Sequence, residues 1–321
     1  MKKFNFDNGI THIPLELPWR SPGFVNVYLI EESDGYIMID CGVDGEEYYS
    51  LLKNYLNQEK IKLADIKLLI GTHMHSDHIG LSGKLREQGI PFALYKNSIE
   101  FIDQYNDWTL RFKEFNDYAK KEGASKSFLS DLNSITTPPF AGKITKPDLL
   151  LEEGKIKNIA RDLSIIFTPG HDQSEISIHD LKSKVIFSGD HILPKITPFI
   201  PTVDEKSNLL DDFIISLEKI EKIKHETIAP GHGEVITEPH KRIKQMVLHH
   251  KRRSEKILDI LGTKELTGWE VTNFLFPRKL DSLNLRLAFQ ETLAHLKYLE
   301  NKKVIRHNIA KFNTWEVIKE A

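Results

Sequence analysis

The stretch GTHMHSDHIG, Gly71–Gly80, places three histidines and one aspartate within six positions, directly after the apolar run IKLLI. His73 and His75 are two residues apart, so an extended chain projects both side chains to the same side. Asp77 and His78 follow where the pattern predicts the start of a helix. Imidazole and carboxylate groups are ligands of zinc, iron and manganese. Packing does not readily explain four such groups at a strand end, so the stretch predicts a metal site.

Three later strands end in the same way. Each has an apolar run, then a glycine that lets the backbone approach closely, and then a side chain able to bind a metal. The runs are SIIFTPGH, VIFSGD and TIAPGH, which end at His171, Asp190 and His232. Any one of them alone is a weak signal. In order after His-x-His-x-Asp-His, the three complete a ligand set of seven residues.

This ordered set resembles the metallo-β-lactamase superfamily, and the match covers roughly residues 24–235. The resemblance implies an α/β fold, the αββα sandwich. It also implies a site for two divalent metal ions, with zinc expected first and iron or manganese as alternatives. By the resemblance, the first ion is bound by His73, His75 and His171, the second by Asp77, His78 and His232, and Asp190 bridges the two.

Asp40 ends the apolar run YIMID, and in this family an aspartate at the end of an early strand lies close to the metals. We interpret it as a group that orients a ligand histidine or a metal-bound water. A turn or capping aspartate before Gly42 is the alternative. The neighbouring Cys41 is either a soft metal ligand or, as we expect, a small buried apolar side chain. For His191 the sequence leaves open whether it faces the site.

The resemblance implies a mechanism in which a hydroxide shared by two metal ions attacks a carbonyl or phosphoryl centre. Asp77 is the residue expected to accept or shuttle a proton. The full aspartate pattern resembles the hydroxyacylglutathione hydrolase-like branch, but Gly189–Ile200 lacks that branch's glycine-rich, arginine-containing stretch. We therefore expect a hydrolase for a small or medium carbonyl ester or thioester.

Two other activities fit the same scaffold. A persulfide dioxygenase would need one iron ion and no complete second site. An endoribonuclease or other nucleic-acid-binding hydrolase is motivated by the C-terminal region, where helices followed by a hairpin resemble a winged helix. The predicted recognition helix, Asn284–Lys302, offers mainly Arg286, His295 and Lys297. Sequence-reading helices usually carry more Arg, Asn or Gln, so nucleic acid is the less favoured partner.

The pattern along the chain predicts two domains, a catalytic domain over 1–238 and a small winged-helix-like domain over 239–321. A helical insertion rich in aromatic residues is expected at about 97–139. Its aromatic side chains are expected mainly to pack the insertion onto the body, with lining of a substrate pocket as the alternative.

Composition limits the choice of location and partners. The formal net charge of −2 gives no overall attraction to nucleic acid or membranes, and the single cysteine excludes an internal disulfide. No signal peptide and no apolar run long enough to span a bilayer are apparent. We therefore expect a cytoplasmic enzyme with a small-molecule substrate and no membrane partner, and a homodimer is left open.

Overall fold

The computed structural model describes residues 3–144 and 146–318. Within them, two sheets face each other. The first has the order β1-β2-β3-β4-β5-β6: Ile10–Glu16, Phe24–Glu32, Gly35–Ile39, Ile66–Ile70, Phe92–Tyr95 and Leu149–Leu151. The second has the order β11-β10-β9-β8-β7, and in chain order β7 to β11 are Gly154–Lys155, Leu163–Phe167, Ile176–Asp180, Val185–Gly189 and Thr227–Pro230.

Strand β2 shows why the sheets must be covered on both faces. Its residues from Val25 to Ile30 are all buried, because alternate side chains enter two different cores. Val25, Val27 and Leu29 point to the outer core, whereas Tyr28 and Ile30 point between the sheets. The inter-sheet core also contains Ile178 of β9 and Phe187 of β10.

Helices cover the outer face of each sheet. The first sheet packs against α1 (Glu46–Gln58), α2 (Ser76–Ile79), α3 (Ser82–Glu87) and α4 (Ile102–Asn106). The second sheet packs against α7 (Leu209–Lys222) and α8 (Pro239–Leu261). The expected αββα sandwich is confirmed.

The remaining elements lie in the insertion and at the C-terminal end. The insertion contributes α5 (Trp108–Lys121) and α6 (Lys126–Asn133), and the C-terminal region adds α9 (Gly268–Leu275), α10 (Ser282–Asn301), β12 (Ile305–Asn308) and β13 (Thr314–Val317). The two regions share one apolar core, in which Phe115 and Phe128 meet Phe289 and Trp315. None of the described helices is long and apolar enough to cross a membrane.

The structure corrects one element of the sequence pattern. The run Ile79–Gln88 looks like a single helix in the sequence, but it is split between α2 and α3. The backbone N–H of Cys41 bonds to the carbonyl of His78 at 2.7 Å, and the N–H of Leu81 bonds to the carbonyl of Gly42 at 3.1 Å. These two bonds replace hydrogen bonds that a continuous helix would make, so the helix is interrupted between α2 and α3.

A buried glutamate, Glu122, ties the insertion to the C-terminal region. Its carboxylate accepts hydrogen bonds from Nε1 of Trp315 at 2.7 Å, Nδ2 of Asn313 at 3.0 Å and the N–H of Gly268 at 3.3 Å. The carbonyl of Glu122 also accepts a bond from the N–H of Trp269 at 3.0 Å. These bonds satisfy a carboxylate that would otherwise be costly to bury.

We predict that Glu122→Ala lowers the free energy of unfolding by roughly 3 kcal/mol, because it leaves the Trp315 and Asn313 donors buried without an acceptor. Urea unfolding measures the change. Glu114→Ala, at an exposed position of helix α5, which ends directly before Glu122, is the control and should change stability by less than about 0.5 kcal/mol. Equal effects of the two substitutions would contradict the anchoring role.

Candidate metal centre

The predicted ligand residues follow the C-terminal ends of strands at one edge of the sandwich. Strands β3 and β4 run parallel, so Asp40 and the stretch beginning at Thr72 leave the first sheet at the same edge. Strands β10 and β11 are also parallel, and Asp190 and His232 follow their ends. His171 follows β8, which pairs antiparallel with β9, itself antiparallel to β10. Residues distant in sequence therefore meet at this edge.

The first group consists of His73, His75 and His171, as predicted. Nδ1 of His75 lies 2.9 Å from Nε2 of His73 and 2.9 Å from Nε2 of His171. The ligand atoms of the three residues all lie within 4.8 Å of one another. Three imidazole nitrogens that converge in this way can bind one metal ion.

The second group consists of Asp77, His78 and His232, and its ligand atoms also lie within 4.8 Å of one another. Nε2 of His232 lies 3.2 Å from Oδ2 of Asp77. Both ligand groups come from one short loop and two later strand ends. The structure thus brings together all six residues that the resemblance divides between two metals.

Asp190 lies between the two groups. Its Oδ1 is 3.4 Å from Nε2 of His78, and its Oδ2 is 3.5 Å from Nε2 of His232. The same Oδ2 is 3.6 Å from Nε2 of His171 in the first group. One carboxylate therefore faces ligand atoms of both groups, which is the arrangement that a bridging ligand requires.

The other ring nitrogens of these histidines are held by acceptors. Nδ1 of His171 donates to the carbonyl of Phe199 at 2.7 Å, and Nδ1 of His232 donates to the carbonyl of Phe24 at 2.6 Å. Because a carbonyl only accepts, each ring carries a proton on Nδ1, which leaves Nε2 as the ring atom that faces the centre and could bind a metal.

Asp40 joins the two ligand groups. Its Oδ2 accepts from Nδ1 of His78 at 2.7 Å and from Oγ1 of Thr72 at 2.9 Å, and that hydroxyl lies 3.1 Å from Nδ1 of His73. Its Oδ1 accepts from the N–H of Thr72 at 2.8 Å. The residue has φ 57°, in the left-handed region that costs energy for most side chains but is tolerated by Asp and Asn. We propose that it orients His73 and His78.

Two buried atoms without partners show that this donor set fits metal ions. Among the described residues, Nε2 of His78 and Oδ1 of Asp190 form no hydrogen bond, although they face each other at 3.4 Å. A buried polar atom without a partner is costly, and a bound cation removes that cost. The donor set of imidazole and carboxylate suits zinc, iron or manganese.

The charges of the cluster act on its histidines in two directions. Burial would lower the pKa of His78, but Asp40 and Asp190 raise it well above the usual value, and the pKa of His232 is raised in the same way by Asp190 and Asp77. Burial, together with neighbouring imidazoles, lowers the pKa of His73 and His75 well below the usual value, which favours the neutral, ligating form. Burial alone would raise the pKa of Asp77, but His78 and His232 lower it to about 2. Burial opposes ionisation of Asp190 as well, yet His232 and His78 hold its pKa far below the usual range. Both carboxylates are therefore ionised at neutral pH.

Glu175 is a residue of the site that the sequence pattern did not single out. It is fully buried, and its Oε1 accepts from the N–H of Asp190 at 2.9 Å and lies 3.9 Å from Nδ1 of His73. Burial and the charge of Asp190 raise its pKa well above the usual value. A glutamate four residues after His171 has no distinctive spacing, so only the folded chain reveals its position.

The other candidates belong to none of the convergent ligand groups among the described residues. Cys41 is fully buried, as expected, and burial raises the pKa of its thiol well above the usual value. The ring of His191 packs against Phe213, with the ring centroids 4.9 Å apart. His12, His250 and His295 are buried and structural. The glycine at Gly231 is required, because a Cβ there would lie 2.5 Å from Oδ1 of Asp190.

A cavity of about 410 Å³ opens beside the ligand groups and is lined by His75, Asp77 and His171. The insertion supplies Trp108 and Phe112 to its wall, and α10 supplies Arg286. Aromatic residues of the insertion therefore both pack in the shared core and line this cavity. A larger cavity of about 980 Å³ near the β2–β3 turn is lined by none of the ligand candidates.

Comparison with known proteins agrees with this geometry. A family model for the metallo-beta-lactamase superfamily matches residues 20–232. The chain belongs to the metallo-beta-lactamase superfamily. A second model, for the metallo-beta-lactamase-like C-terminal domain, matches residues 254–315. The chain is thus an enzyme of hydrolase type, as expected from the ligand pattern.

Its relatives in the superfamily include proteins named for hydrolysis. The chain is 27% identical over 292 residues to the probable metallo-hydrolase YqjP of Bacillus subtilis, covering 88% of this chain and 90% of that protein. It is 25% identical to the human acyl-coenzyme A thioesterase MBLAC2, over 67% of this chain and 75% of that protein. A solved metallo-beta-lactamase family protein from Thermus thermophilus matches with a TM-score of 0.78 and 25% identity, covering 97% of this chain and 99% of that one.

We predict that Asp40→Asn weakens metal binding by about 10- to 100-fold, because the amide keeps the left-handed backbone but places no negative charge beside His78 and Thr72. Competition with a chromogenic chelator measures the affinity. Asp103→Asn, at an exposed position of α4, is the control and should bind metal like the parent protein. Unchanged metal affinity in Asp40→Asn would show that Asp40 only stabilises the turn after strand β3.

Proposed function

We propose that the protein hydrolyses small or medium carbonyl esters or thioesters with two divalent metal ions, zinc being the first candidate. The observation that carries this proposal is the position of Asp190, whose carboxylate faces ligand atoms of both histidine groups. His73, His75 and His171 would hold the first ion. Asp77, His78 and His232 would hold the second, and Asp190 would contact both.

Two ions bound there would activate water and stabilise negative charge that develops on the substrate carbonyl oxygen. In the overall reaction, water adds to the carbonyl carbon, the C–S or C–O bond breaks, and the thiol or alcohol leaves with a proton. Asp77 is the residue placed to take part in proton transfer. It lines the cavity, is ionised at neutral pH and is oriented by Nε2 of His232 at 3.2 Å.

The names of the relatives support thioesters as substrates of this protein. The human relative is named an acyl-coenzyme A thioesterase, and the match with it covers 67% of this chain. The ligand pattern with both Asp77 and Asp190 supports a place near the hydroxyacylglutathione hydrolase-like branch. The altered segment Gly189–Ile200 argues against glutathione thioesters as substrates.

The second ligand group argues against a mononuclear persulfide dioxygenase. Such an enzyme needs one iron ion, whereas Asp77, His78 and His232 form a second convergent group. A complete second group with an ionised carboxylate would have no role in that chemistry. The number of bound metal ions therefore distinguishes the two activities.

The environment of α10 argues against a nucleic-acid-binding role. Arg286 lines the cavity, His295 is fully buried, and Nζ of Lys297 donates to the carbonyl of Glu205 at 2.7 Å. A recognition helix must instead present such side chains to a groove. We propose that the predicted domain 239–321, whose last three residues lie outside the described part of the chain, is winged-helix-like and completes the cavity. A homodimer and a cytoplasmic location stay predictions.

We predict about two zinc ions per chain in the zinc-loaded protein and measurable hydrolysis of acyl thioesters or esters. Asp190→Ala should abolish turnover and lower the metal content, because it removes the carboxylate shared by both groups. His73→Ala should also abolish turnover and lower the metal content, because it removes a ligand of the first group. Elemental analysis and a thiol-release assay provide the two measurements.

Asp259→Asn, an exposed position on α8, is the matched control and should keep both metal ions and activity. Full hydrolytic activity in metal-free protein would contradict the proposal. A single iron ion per chain, with oxygen consumption on a persulfide and no hydrolysis, would establish the dioxygenase instead.

A further inference from the structure

Two arginines lie on the wall of the cavity beside the metal ligands. Arg111 comes from α5 in the insertion, and Arg286 comes from α10 in the C-terminal region. Both side chains are partly buried. Within residues 3–144 and 146–318, neither guanidinium group has a hydrogen-bond acceptor or an ion-pair partner. Partial burial without a partner leaves the loss of hydration of both charges uncompensated, so an anionic ligand would stabilise the pair.

The surroundings of the two guanidinium groups are aromatic rather than acidic. Cζ of Arg286 lies 4.6 Å from the ring centroid of Phe112, and Cζ of Arg111 lies 5.6 Å from that of Trp108. Ring faces attract cations but do not neutralise them. Burial lowers the pKa of Arg286 to about 10, and the charge of Arg111 contributes to the shift. Both groups still carry a positive charge at neutral pH.

The nearest carboxylate does not compensate this charge. Asp172 is close enough to Arg111 to offset part of the burial effect on its pKa, but it forms no ion pair with it. Its Oδ1 instead accepts from the N–H and Oγ of Ser174, at 2.7 Å and 2.6 Å. Arg111 therefore keeps its donors for another acceptor.

Two other polar atoms of the same wall are buried without partners. Nε1 of Trp108 has no acceptor, and Oε1 of Gln290 has no donor among the described residues. Both residues line this cavity. Because these two atoms are buried, the guanidinium groups are the donors that an oxyanion in the cavity can reach.

The cavity also connects these donors to the site of hydrolysis. Its lining includes the ligand candidates His75 and Asp77, both arginines, and the aromatic side chains of Phe115 and Phe140. A volume of about 410 Å³ lies towards the lower end of small-ligand cavities. It suits an acyl chain better than a bulky carrier group.

We propose that the cavity selects acyl substrates with a terminal oxyanion, a carboxylate or a phosphate-type group, which Arg111 and Arg286 bind. This inference rests on the proposed hydrolase function and names its substrate class. The scissile carbonyl lies at the metal ligands, the apolar part of the acyl chain contacts the aromatic rings, and the anionic end reaches the two guanidinium groups. The C-terminal region then supplies half of the anion-binding pair.

The kinetic test uses zinc-loaded protein and N-acetylcysteamine thioesters of equal chain length. Glutaryl thioester ends in a carboxylate and pentanoyl thioester ends in a methyl group. The parent protein should favour the glutaryl substrate by about 10- to 100-fold in kcat/KM. Arg111→Gln and Arg286→Gln should each lower that ratio at least about tenfold, and Arg286→Lys should restore part of it. The 4-phosphonobutanoyl thioester shows which oxyanion is preferred.

Two substitutions that remove a charge elsewhere are the controls. Lys113→Gln lies on the exposed face of α5, and Arg252→Gln lies on the exposed face of α8. Both should keep the preference of the parent protein. Equal kcat/KM values for the two thioesters, unchanged by the arginine variants, would overturn the inference while leaving the hydrolase function intact.

A binding measurement separates this inference from the proposed function. Isothermal titration of the zinc-loaded protein with glutarate and with pentanoate should give at least about tenfold tighter binding of glutarate, lost in the double variant Arg111→Gln/Arg286→Gln. This result without hydrolysis of any thioester or ester would overturn the proposed hydrolysis but support the oxyanion site. Equal affinities for the two acids in all variants would overturn the site.

Discussion

The carboxylate of Asp40 connects the two groups of metal-ligand candidates. It accepts directly from His78 of one group and, through the hydroxyl of Thr72, is connected to His73 of the other. It can do so because the backbone turns into the left-handed region directly after strand β3. We propose that this network preorganises the site, because an oriented imidazole loses little entropy on binding a metal.

The sandwich provides the frame on which this network depends. Sheets that are buried on both faces leave little freedom in strand position, and parallel neighbours deliver their chain ends to the same edge. Glycines make the approach of these ends possible. At Gly231 a side chain would collide with Asp190 and His78. The packing of the two sheets therefore also determines where the ligand candidates lie.

Much of this arrangement could be predicted from the sequence, because its signals are local. Two local patterns predict the metal site. In Gly71–Gly80 the ligand candidates are one or two residues apart, and three later apolar runs each end in a glycine and a ligand candidate. Glu175, Arg111 and Arg286 could not be found in this way. Their roles arise from contacts between segments far apart in the chain, and no spacing in the sequence encodes them.

The role of the C-terminal region that the sequence suggests differs from the role that its packing suggests. Its helices and hairpin resemble a DNA-reading unit in the sequence, yet residues of α10 are buried among the insertion helices and the second sheet. The shared core and the bonds to Glu122 fix Arg286 at the cavity wall. Insertion and C-terminal region thus act as one wall of the candidate substrate site.

We propose that the carboxylate of Asp190 joins two metal positions built from two ligand groups. Anomalous diffraction from crystals of the zinc-loaded protein would locate the metal ions. We expect two peaks roughly 3.5–4 Å apart, one beside His73, His75 and His171 and one beside Asp77, His78 and His232, with Asp190 contacting both. A single peak, or a second peak away from Asp77 and His232, would contradict it.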